Sequence, residues 1–312
     1  FFMTDRVVSA PDVVTPARLG VVAKYRRAIM RSEALRGYNL LSPTLLFMIL
    51  FLALPLGLLL VFSFWTQNYL DIDYSFTLAN YTKFFDRPVF SSLLGKSILI
   101  SGSVTIATVI LAYPMAYYIA FRVHKHKLVW LILITVPFWT SYLLRVFAWK
   151  VILGYNGVIN SGLMELGLIS EPLEFILYNP FAVVITLAHA WAAFAILPIY
   201  VSLEKIDRSL LEAATDLGDT PIMRFFRITL PLSMPGVIAA AMLVFIPTVG
   251  DFVTPKMVGG TDGVMIGNVI QSMFGTSHNW PFGASLSIIS MTSITIMIVV
   301  FLWINRIMRR RA

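Results

Sequence analysis

Six long apolar stretches constrain this chain more than any other feature of its sequence. About 20 consecutive apolar residues cross the hydrocarbon core of a bilayer as a helix. The stretches that reach this length are Leu41–Phe64, Lys96–Phe121, Leu128–Lys150, Pro180–Leu203, Leu232–Thr254 and Ala284–Ile304. Only 13% of the 312 residues are charged, whereas soluble domains carry about 25%. The sequence therefore predicts an all-α integral membrane protein with six transmembrane helices.

The basic residues are distributed unevenly between the two ends of these stretches. Eighteen of the 24 lysines and arginines lie in residues 1–40, in the second–third and fourth–fifth links, and in residues 305–312. Links rich in lysine and arginine stay on the cytoplasmic side of a membrane. We therefore expect both termini to be cytoplasmic, with residues 305–312 forming a basic tail.

Residues 1–40 form a basic arm before the first span. Within the arm, residues 17–36 place apolar Val22, Tyr25 and Ile29 at helical spacing among basic side chains. This pattern indicates a helix that lies on the inner leaflet, with membrane lipid as its partner. A disordered basic arm is the alternative. Nucleic acid is disfavoured as a partner, because the basic clusters flank apolar runs.

The fourth–fifth link, residues 204–231, is long, polar and internally structured, whereas most other links are short. Asp207 or Ser209 can cap the start of a first short helix. Gly218 can end that helix, and Pro221 suits the first turn of a second one. The link therefore predicts two short helices joined by a glycine elbow, exposed on the cytoplasmic side and suited to binding a partner.

The same link carries a family signature. It reads Glu212-Ala213-Ala214, three residues, Gly218, nine residues and then Ile228-Thr229-Leu230-Pro231. This pattern resembles the EAA signature of permease subunits in binding-protein-dependent ABC importers, and every fixed position matches without a gap. The resemblance covers a permease domain of residues 41–304 and implies a type I importer permease in a bacterial inner membrane.

The resemblance also implies roles and partners. Glu212, Ala213, Ala214 and Gly218 would form the coupling contact, which lies in a cleft of an ATPase subunit. Three further residues would anchor the link to the membrane domain: Ile228, Leu230 and Pro231. The expected partners are a second permease subunit, two ATPase subunits and an extracytoplasmic solute-binding protein. ATP and Mg²⁺ would bind the ATPase subunits.

No ATP site is expected in this chain itself. A P-loop needs a glycine five residues before Gly-Lys-Ser/Thr, so that backbone N–H groups can cradle phosphates. Gly95-Lys96-Ser97 comes closest, but Phe90 stands where the first glycine is required. The four histidines fall in different segments, and cysteine is absent. We therefore expect no enzyme activity and no cofactor in this chain.

Within the family, several stretches are similar to the polyamine (spermidine/putrescine) permease branch. They are Pro137-Phe138-Trp139-Thr140-Ser141, Leu197-Pro198-Ile199-Tyr200, Val249-Gly250-Asp251-Phe252-Val253 and Trp280-Pro281-Phe282-Gly283. These stretches are less specific than the EAA signature. They imply that the imported solute is a polyamine such as spermidine or putrescine.

Asp251 is the only acidic residue inside a predicted span, where a charge costs about 2.5–3.5 kcal/mol at the helix centre. Polyamines are polycations, which carboxylates and aromatic faces hold best. We therefore expect Asp251, Trp139, Tyr142 and Trp149 to contact the substrate. Two alternatives remain: Asp251 pairs with Arg145, and the aromatic residues anchor the helices at the membrane interface.

Two other function classes are open to a polytopic chain. A secondary transporter or channel driven by an ion gradient would use buried carboxylates as its coupling site, and only Asp251 could serve. A membrane-embedded enzyme would need histidines or carboxylates clustered near one face, which the sequence lacks. The importer permease is therefore the primary prediction, and the gradient-driven transporter is its alternative.

Overall fold

The computed structural model describes residues 32–69, 71–176 and 178–311. The chain divides into two compact units, Phe1–Leu58 and Leu59–Ala312. Residues 1–31, which make up most of the predicted basic arm, lie outside the described residues. The structure therefore does not test whether the arm forms an interfacial helix or is disordered. Within the described ranges, five helices are long and apolar enough to cross a membrane, and a sixth span results if one bent helix pair is counted as one.

The first span is a helix with a widened turn in its middle. It comprises α1 (Glu33–Met48), a π-helical turn (Ile49–Ala53) and α2 (Leu54–Phe62). The π-turn directly precedes Leu54-Pro55. Proline has no N–H for the i−4 carbonyl and clashes with it, and a π-turn relieves both problems. None of the described side chains in the apolar window of this span is buried within the chain.

A short segment with two strands and one helix follows the first span. It contains β1 (Thr66–Asn68), β2 (Asp71–Asp73) and α3 (Ala79–Asp86). The two strands form an antiparallel hairpin in which Thr66 faces Asp73. The Asn80 side-chain amide donates to the carbonyl of Ser63 at 3.1 Å and to that of Trp65 at 2.7 Å, which fixes α3 beside the end of the span. Among the described residues, this hairpin is the one departure from the predicted all-α fold.

Three long helices form the core of the second unit: α4 (Pro88–Phe121), α8 (Pro180–Glu204) and α11 (Leu230–Val249). Many buried contact residues are small or β-branched, including Val104, Ala112, Ala116, Val183, Ala195, Ala240 and Val244. Such side chains let helix backbones approach closely. One close approach is at Gly236, where a Cβ atom would lie 2.4 Å from the Pro198 carbonyl oxygen.

The third predicted span is not one continuous helix. It consists of α5 (Lys127–Thr135), a 3₁₀ turn (Val136–Trp139), α6 (Tyr142–Leu153) and α7 (Val158–Glu165). The two halves are bent by 86° at the break after Trp139. Pro137 cannot donate to the preceding turn, and Thr140 is extended with its hydroxyl bonded to the Pro137 carbonyl at 2.6 Å. The third predicted span, 128–150, is therefore a pair of helices bent at this break and not one straight helix.

The remaining elements complete the second unit. They are a 3₁₀ turn (Glu174–Ile176), α9 (Arg208–Asp216), α10 (Pro221–Arg224), a π-turn (Phe225–Thr229), α12 (Val253–Val258), α13 (Ile266–Phe274) and α14 (Trp280–Arg311). Helix α10, the π-turn and α11 run on without interruption from Pro221 to Val249. The backbone of α14 stays helical through residues 305–311 of the predicted basic tail.

Candidate functional site

Residues 204–231, the coupling loop, contain the two short helices that the sequence predicts. The Ser209 N–H donates to Asp207 Oδ1 at 3.0 Å and caps α9. This bond to the charged carboxylate holds the pKa of Asp207 below its usual value. The Met223 N–H likewise donates to Thr220 Oγ1 at 3.3 Å and caps α10, which begins with Pro221.

Gly218 forms the elbow between these helices. Its φ is +89°, a left-handed conformation that glycine adopts without strain. The Asp219 N–H donates to the Ala214 carbonyl at 3.0 Å, and the Gly218 N–H donates to that of Thr215 at 2.9 Å. These bonds close the last turn of α9. In the described structure, nothing lies within 4 Å of where a Gly218 Cβ would be, so only the backbone conformation requires glycine.

The signature residues of α9 face different ways. Glu212 and Ala213 are exposed, whereas the Ala214 side chain is buried against the rest of the loop. This surface also exposes large apolar side chains, which are Leu210, Leu217, Ile222, Met223 and Phe226. Leu217 is 88% exposed directly beside the elbow. Exposed apolar groups on a polar loop are typical of a surface that binds a partner.

Polar contacts brace the two halves of the loop against each other. Arg227 forms an ion pair with Asp219, with Nη1 and Oδ1 2.8 Å apart. Arg224 Nη1 donates to Thr215 Oγ1 at 2.5 Å. Both arginines belong to the second half of the loop, and both acceptors belong to α9 or the elbow. The contacts therefore hold α9 at a set angle to the continuous helix that follows.

The loop is anchored chiefly by residues around the π-turn. The Phe225 ring meets that of Tyr113 edge to face, with the centroids 5.6 Å apart. Leu230 packs against the core and Ile228 is half-buried, as an anchoring role requires. Pro231 is exposed, so its effect is on the backbone and not on side-chain packing. The π-turn directly precedes Leu230-Pro231, as the π-turn of the first span precedes Leu54-Pro55.

Midway along α8 and just past the end of α11, a cavity of about 380 Å³ lies beside Asp251. This Asp251 cavity is lined by Tyr142, Arg145, Ala190, Trp191, Phe194, Pro247, Gly250, Asp251, Phe252 and Val253. Asp251 lies in the turn just past the end of α11 at Val249, not within a helix as predicted. Sequence reasoning missed Trp191, Phe194 and Phe252; the first two lie three residues apart on α8, a spacing that brings them to one face.

Hydrogen bonds orient the Asp251 carboxylate. The Tyr142 hydroxyl donates to Oδ2 at 2.7 Å, and the Val253 N–H donates to Oδ1 at 3.0 Å. The Tyr142 oxygen also lies 2.6 Å from Thr254 Oγ1. A carboxylate offers about four acceptor sites. Asp251 accepts two hydrogen bonds, from Tyr142 and Val253, so its carboxylate can accept a further donor from the cavity.

Arg145 occupies the same cavity without pairing to Asp251. Its Nη1 donates to the Ala190 carbonyl at 3.0 Å, and its guanidinium lies 4.7 Å from the centre of the Phe138 ring. Among the described residues the ion pairs are Lys127–Glu204 and Arg227–Asp219. The alternative in which Arg145 neutralises Asp251 is therefore not observed. Arg145 interacts with aromatic faces, as cations do.

The structure separates the four residues predicted to contact substrate. Tyr142 and Asp251 are bonded to each other in the cavity. Trp139 is 90% exposed at the break of the third span. The Trp149 ring packs against His189, with the centroids 5.4 Å apart, and does not line the cavity. The predicted set thus divides into one bonded pair, one exposed ring and one packed ring.

A second cleft, of about 660 Å³, lies at the coupling-loop end of α8. Pro198 of α8 and Pro235 of α11 both line it, beside Gly236. The Gly236 N–H lies 3.3 Å from Ser202 Oγ. Prolines weaken helix ladders and allow bending. Helix α8 therefore connects a polar, aromatic cavity to a cleft beside the loop through a segment that proline weakens.

Comparisons with known proteins agree with this architecture. The profile of the family described as "Binding-protein-dependent transport system inner membrane component" matches residues 36–312. The spermidine/putrescine transport system permease protein PotB of Haemophilus influenzae is 39% identical over 267 residues, which cover 85% of this chain and 92% of that protein. PotB of Escherichia coli is 37% identical over 265 residues, covering 85% of this chain and 96% of that protein.

A solved structure supports the fold. One chain of a bacterial ABC transporter involved in the import of the acidic polysaccharide alginate superposes with a TM-score of 0.67 and 18% sequence identity. The match covers 92% of this chain and 99% of that chain. At this identity the likeness concerns the fold alone. The profile match and the PotB relatives establish that this chain belongs to the inner membrane component family of binding-protein-dependent transport systems.

Proposed function

We propose that this chain is the permease subunit of an ATP-driven importer and forms half of a translocation path for polyamines. The similarity to spermidine/putrescine permeases, at 37–39% identity over most of the chain, carries this proposal. Family membership favours an importer of this type over the gradient-driven transporter that the sequence left open. The complete importer would contain a second permease, two ATPase subunits and a solute-binding protein.

The coupling loop is the proposed contact with an ATPase subunit. Glu212 and Ala213 are exposed on α9, and Leu217 extends the same loop surface with an apolar side chain. The excess of lysine and arginine on the loop side supports a cytoplasmic orientation for the loop and for both termini. ATP and Mg²⁺ would bind the ATPase partner, and this chain would convert its closure into movement of the helices.

The Asp251 cavity is the proposed substrate contact. The carboxylate of Asp251 keeps acceptor capacity, and the Tyr142 hydroxyl holds it in place. Trp191, Phe194 and Phe252 surround it with ring faces. A carboxylate and aromatic faces together suit an ammonium group of a polyamine. Exposed Trp139 is a further contact in this proposal, whereas Trp149 is excluded from it by its packing on His189.

The first experiment is purification in mild detergent with the products of neighbouring genes co-expressed. ATPase activity is then measured with empty and with spermidine-loaded binding protein. Co-purification of an ATPase, with stimulation by the loaded protein, is the expected result. If binding protein loaded with another solute stimulates the ATPase but spermidine-loaded protein does not, the assignment of polyamines as the substrate would be wrong. If no ATPase binds, the assignment of the coupling loop as an ATPase contact would be wrong, and the gradient-driven transporter would become the preferred function.

A further inference from the structure

Lys127 joins the ends of three helices beside the coupling loop. Its Nζ atom lies 2.8 Å from both carboxylate oxygens of Glu204 and donates to the Ala120 carbonyl at 3.0 Å. Ala120 belongs to the last turn of α4, Lys127 begins α5, and Glu204 ends α8. A cation at a helix C-terminus satisfies free carbonyls and interacts favourably with the helix dipole. One ammonium group therefore links α4, α5 and α8.

A second contact joins the 3₁₀ turn after α5 to α8, about three helical turns away. The rings of Phe138 and Phe194 meet edge to face, with the centroids 5.3 Å apart. Lys127 and Phe138 are 11 residues apart, and Phe194 and Glu204 are 10 apart. At about 1.5 Å per residue, both segments rise about 15–17 Å. The two segments, 127–138 and 194–204, are thus of nearly equal length and joined at both ends; we call them the strut.

The two ends of the strut lie at the two candidate sites. Glu204 is the first residue of the coupling loop. At the far end Phe194 lines the Asp251 cavity, and Phe138 lies under the Arg145 guanidinium. The α8 segment alone is a poor connection, because Pro198 interrupts its hydrogen-bond ladder. Helix α5 has no proline between Lys127 and Thr135, and Pro137 comes only in the 3₁₀ turn that carries Phe138, so α5 supplies the stiffer half.

We propose that Lys127 is a positioning residue which, by binding Glu204, makes α5 and the end of α8 move together and transmits displacement of the coupling loop to the Asp251 cavity. This inference rests on the proposed importer function. The proposed role of Lys127 can be distinguished from a contribution to folding stability alone. A partly exposed ion pair, with side chains here 23% and 41% exposed, adds little to folding stability. Its removal should therefore spare assembly and impair transmission.

The test uses the complete importer, reconstituted in proteoliposomes with its ATPase and binding-protein partners. Three variants remove or preserve the pair: Lys127→Met, Glu204→Gln and Lys127→Arg. The readouts are spermidine imported per ATP hydrolysed and the amount of ATPase subunit that co-purifies. Lys125→Met is the matched control, because Lys125 is an exposed lysine two residues away in the same link.

We expect Lys127→Met and Glu204→Gln each to lower the spermidine imported per ATP about fivefold, the low end of typical coupling between sites. The double variant should fall no further, because both single changes break the same contact. Lys127→Arg and Lys125→Met should stay within about twofold of the unsubstituted chain, with all variants binding the ATPase normally.

Other outcomes would overturn the inference. Unchanged spermidine import per ATP in both Lys127→Met and Glu204→Gln would overturn the strut and leave the importer intact. A loss in Lys127→Arg as large as that in Lys127→Met would exclude the charge pair as the cause. If Lys127→Met does not assemble, Glu204→Gln decides, because it keeps the lysine bond to Ala120. Absence of ATP-driven uptake by the unsubstituted complex would overturn the proposed function, and the strut with it.

Discussion

The coupling loop and the Asp251 cavity differ in where their polar contacts come from. In the loop, the capping bonds to Asp207 and Thr220 span two and three residues, and the longest brace, from Arg224 to Thr215, spans nine. In the cavity, the bond from Tyr142 to Asp251 spans 109 residues. The loop therefore depends mainly on local backbone chemistry, whereas the cavity exists only when distant helices pack correctly.

Gly236 tests the packing that connects these two regions, and its substitution should have the largest effect. In Gly236→Leu, the new side chain would meet the Pro198 carbonyl at 2.4 Å from its Cβ, forcing α8 and α11 apart. Overpacking of this kind costs about 1–3 kcal/mol or more. We expect loss of folded protein, measured as yield and thermal stability after detergent extraction. Gly95→Ala is the control, since the described structure around it is open; equal stability of both variants would contradict the packing.

Gly218 tests the local half of the comparison. Gly218→Val places a β-branched residue at φ +89°, where an L-residue pays about 1–2 kcal/mol of strain. We expect about tenfold weaker retention of the ATPase subunit, with the yield of folded membrane protein preserved. Gly218→Asn, which tolerates the left-handed conformation, should retain binding. Loss of the whole protein in Gly218→Val would show that the loop does not fold as an independent local unit.

Asp251 tests the cavity without disturbing its shape. Asp251→Asn keeps an acceptor for the Tyr142 hydroxyl but removes the negative charge, so the attraction for a polycation falls. We expect about tenfold lower spermidine uptake, equivalent to about 1.4 kcal/mol. Uptake by radiolabelled spermidine in cells or proteoliposomes measures this. Asp262→Asn, at an exposed acidic residue in the following link, serves as the control, and an equal loss there would argue against a site at Asp251.

Tyr142 should show the smallest effect of the four. Tyr142→Phe keeps the ring under Arg145 but removes the bonds to Asp251 and Thr254. A hydrogen bond to a charged group contributes about 1.5–3 kcal/mol, but the Val253 N–H still orients the carboxylate. We expect a twofold to fivefold rise in the spermidine concentration for half-maximal uptake. A loss larger than that of Asp251→Asn would mean that Tyr142 itself contacts the substrate.

The two π-turns show which effects of proline on a membrane helix are local. One precedes Leu54-Pro55 and the other precedes Leu230-Pro231, and in each the helix widens where proline cannot donate. Five of the six predicted spans contain a proline, but the effect of the proline on the helix differs from one span to another. Pro137 breaks its span by 86°, whereas Pro198 leaves α8 continuous. Neighbouring helices decide whether a proline kinks, widens or breaks a membrane helix.

Sequence alone determined the membrane class, the family and the coupling loop, because apolar length, helix caps and a glycine elbow act over a few residues. It placed Asp207 and Gly218 correctly for this reason. Tertiary structure alone decided that Tyr142 meets Asp251 and that Arg145 turns to Phe138. It also decided that Trp149 packs on His189. Except for the contact between Arg145 and Phe138, which spans seven residues, those contacts join segments far apart in the chain, and only the packing of α6 against α8 and α12 brings them within bonding distance.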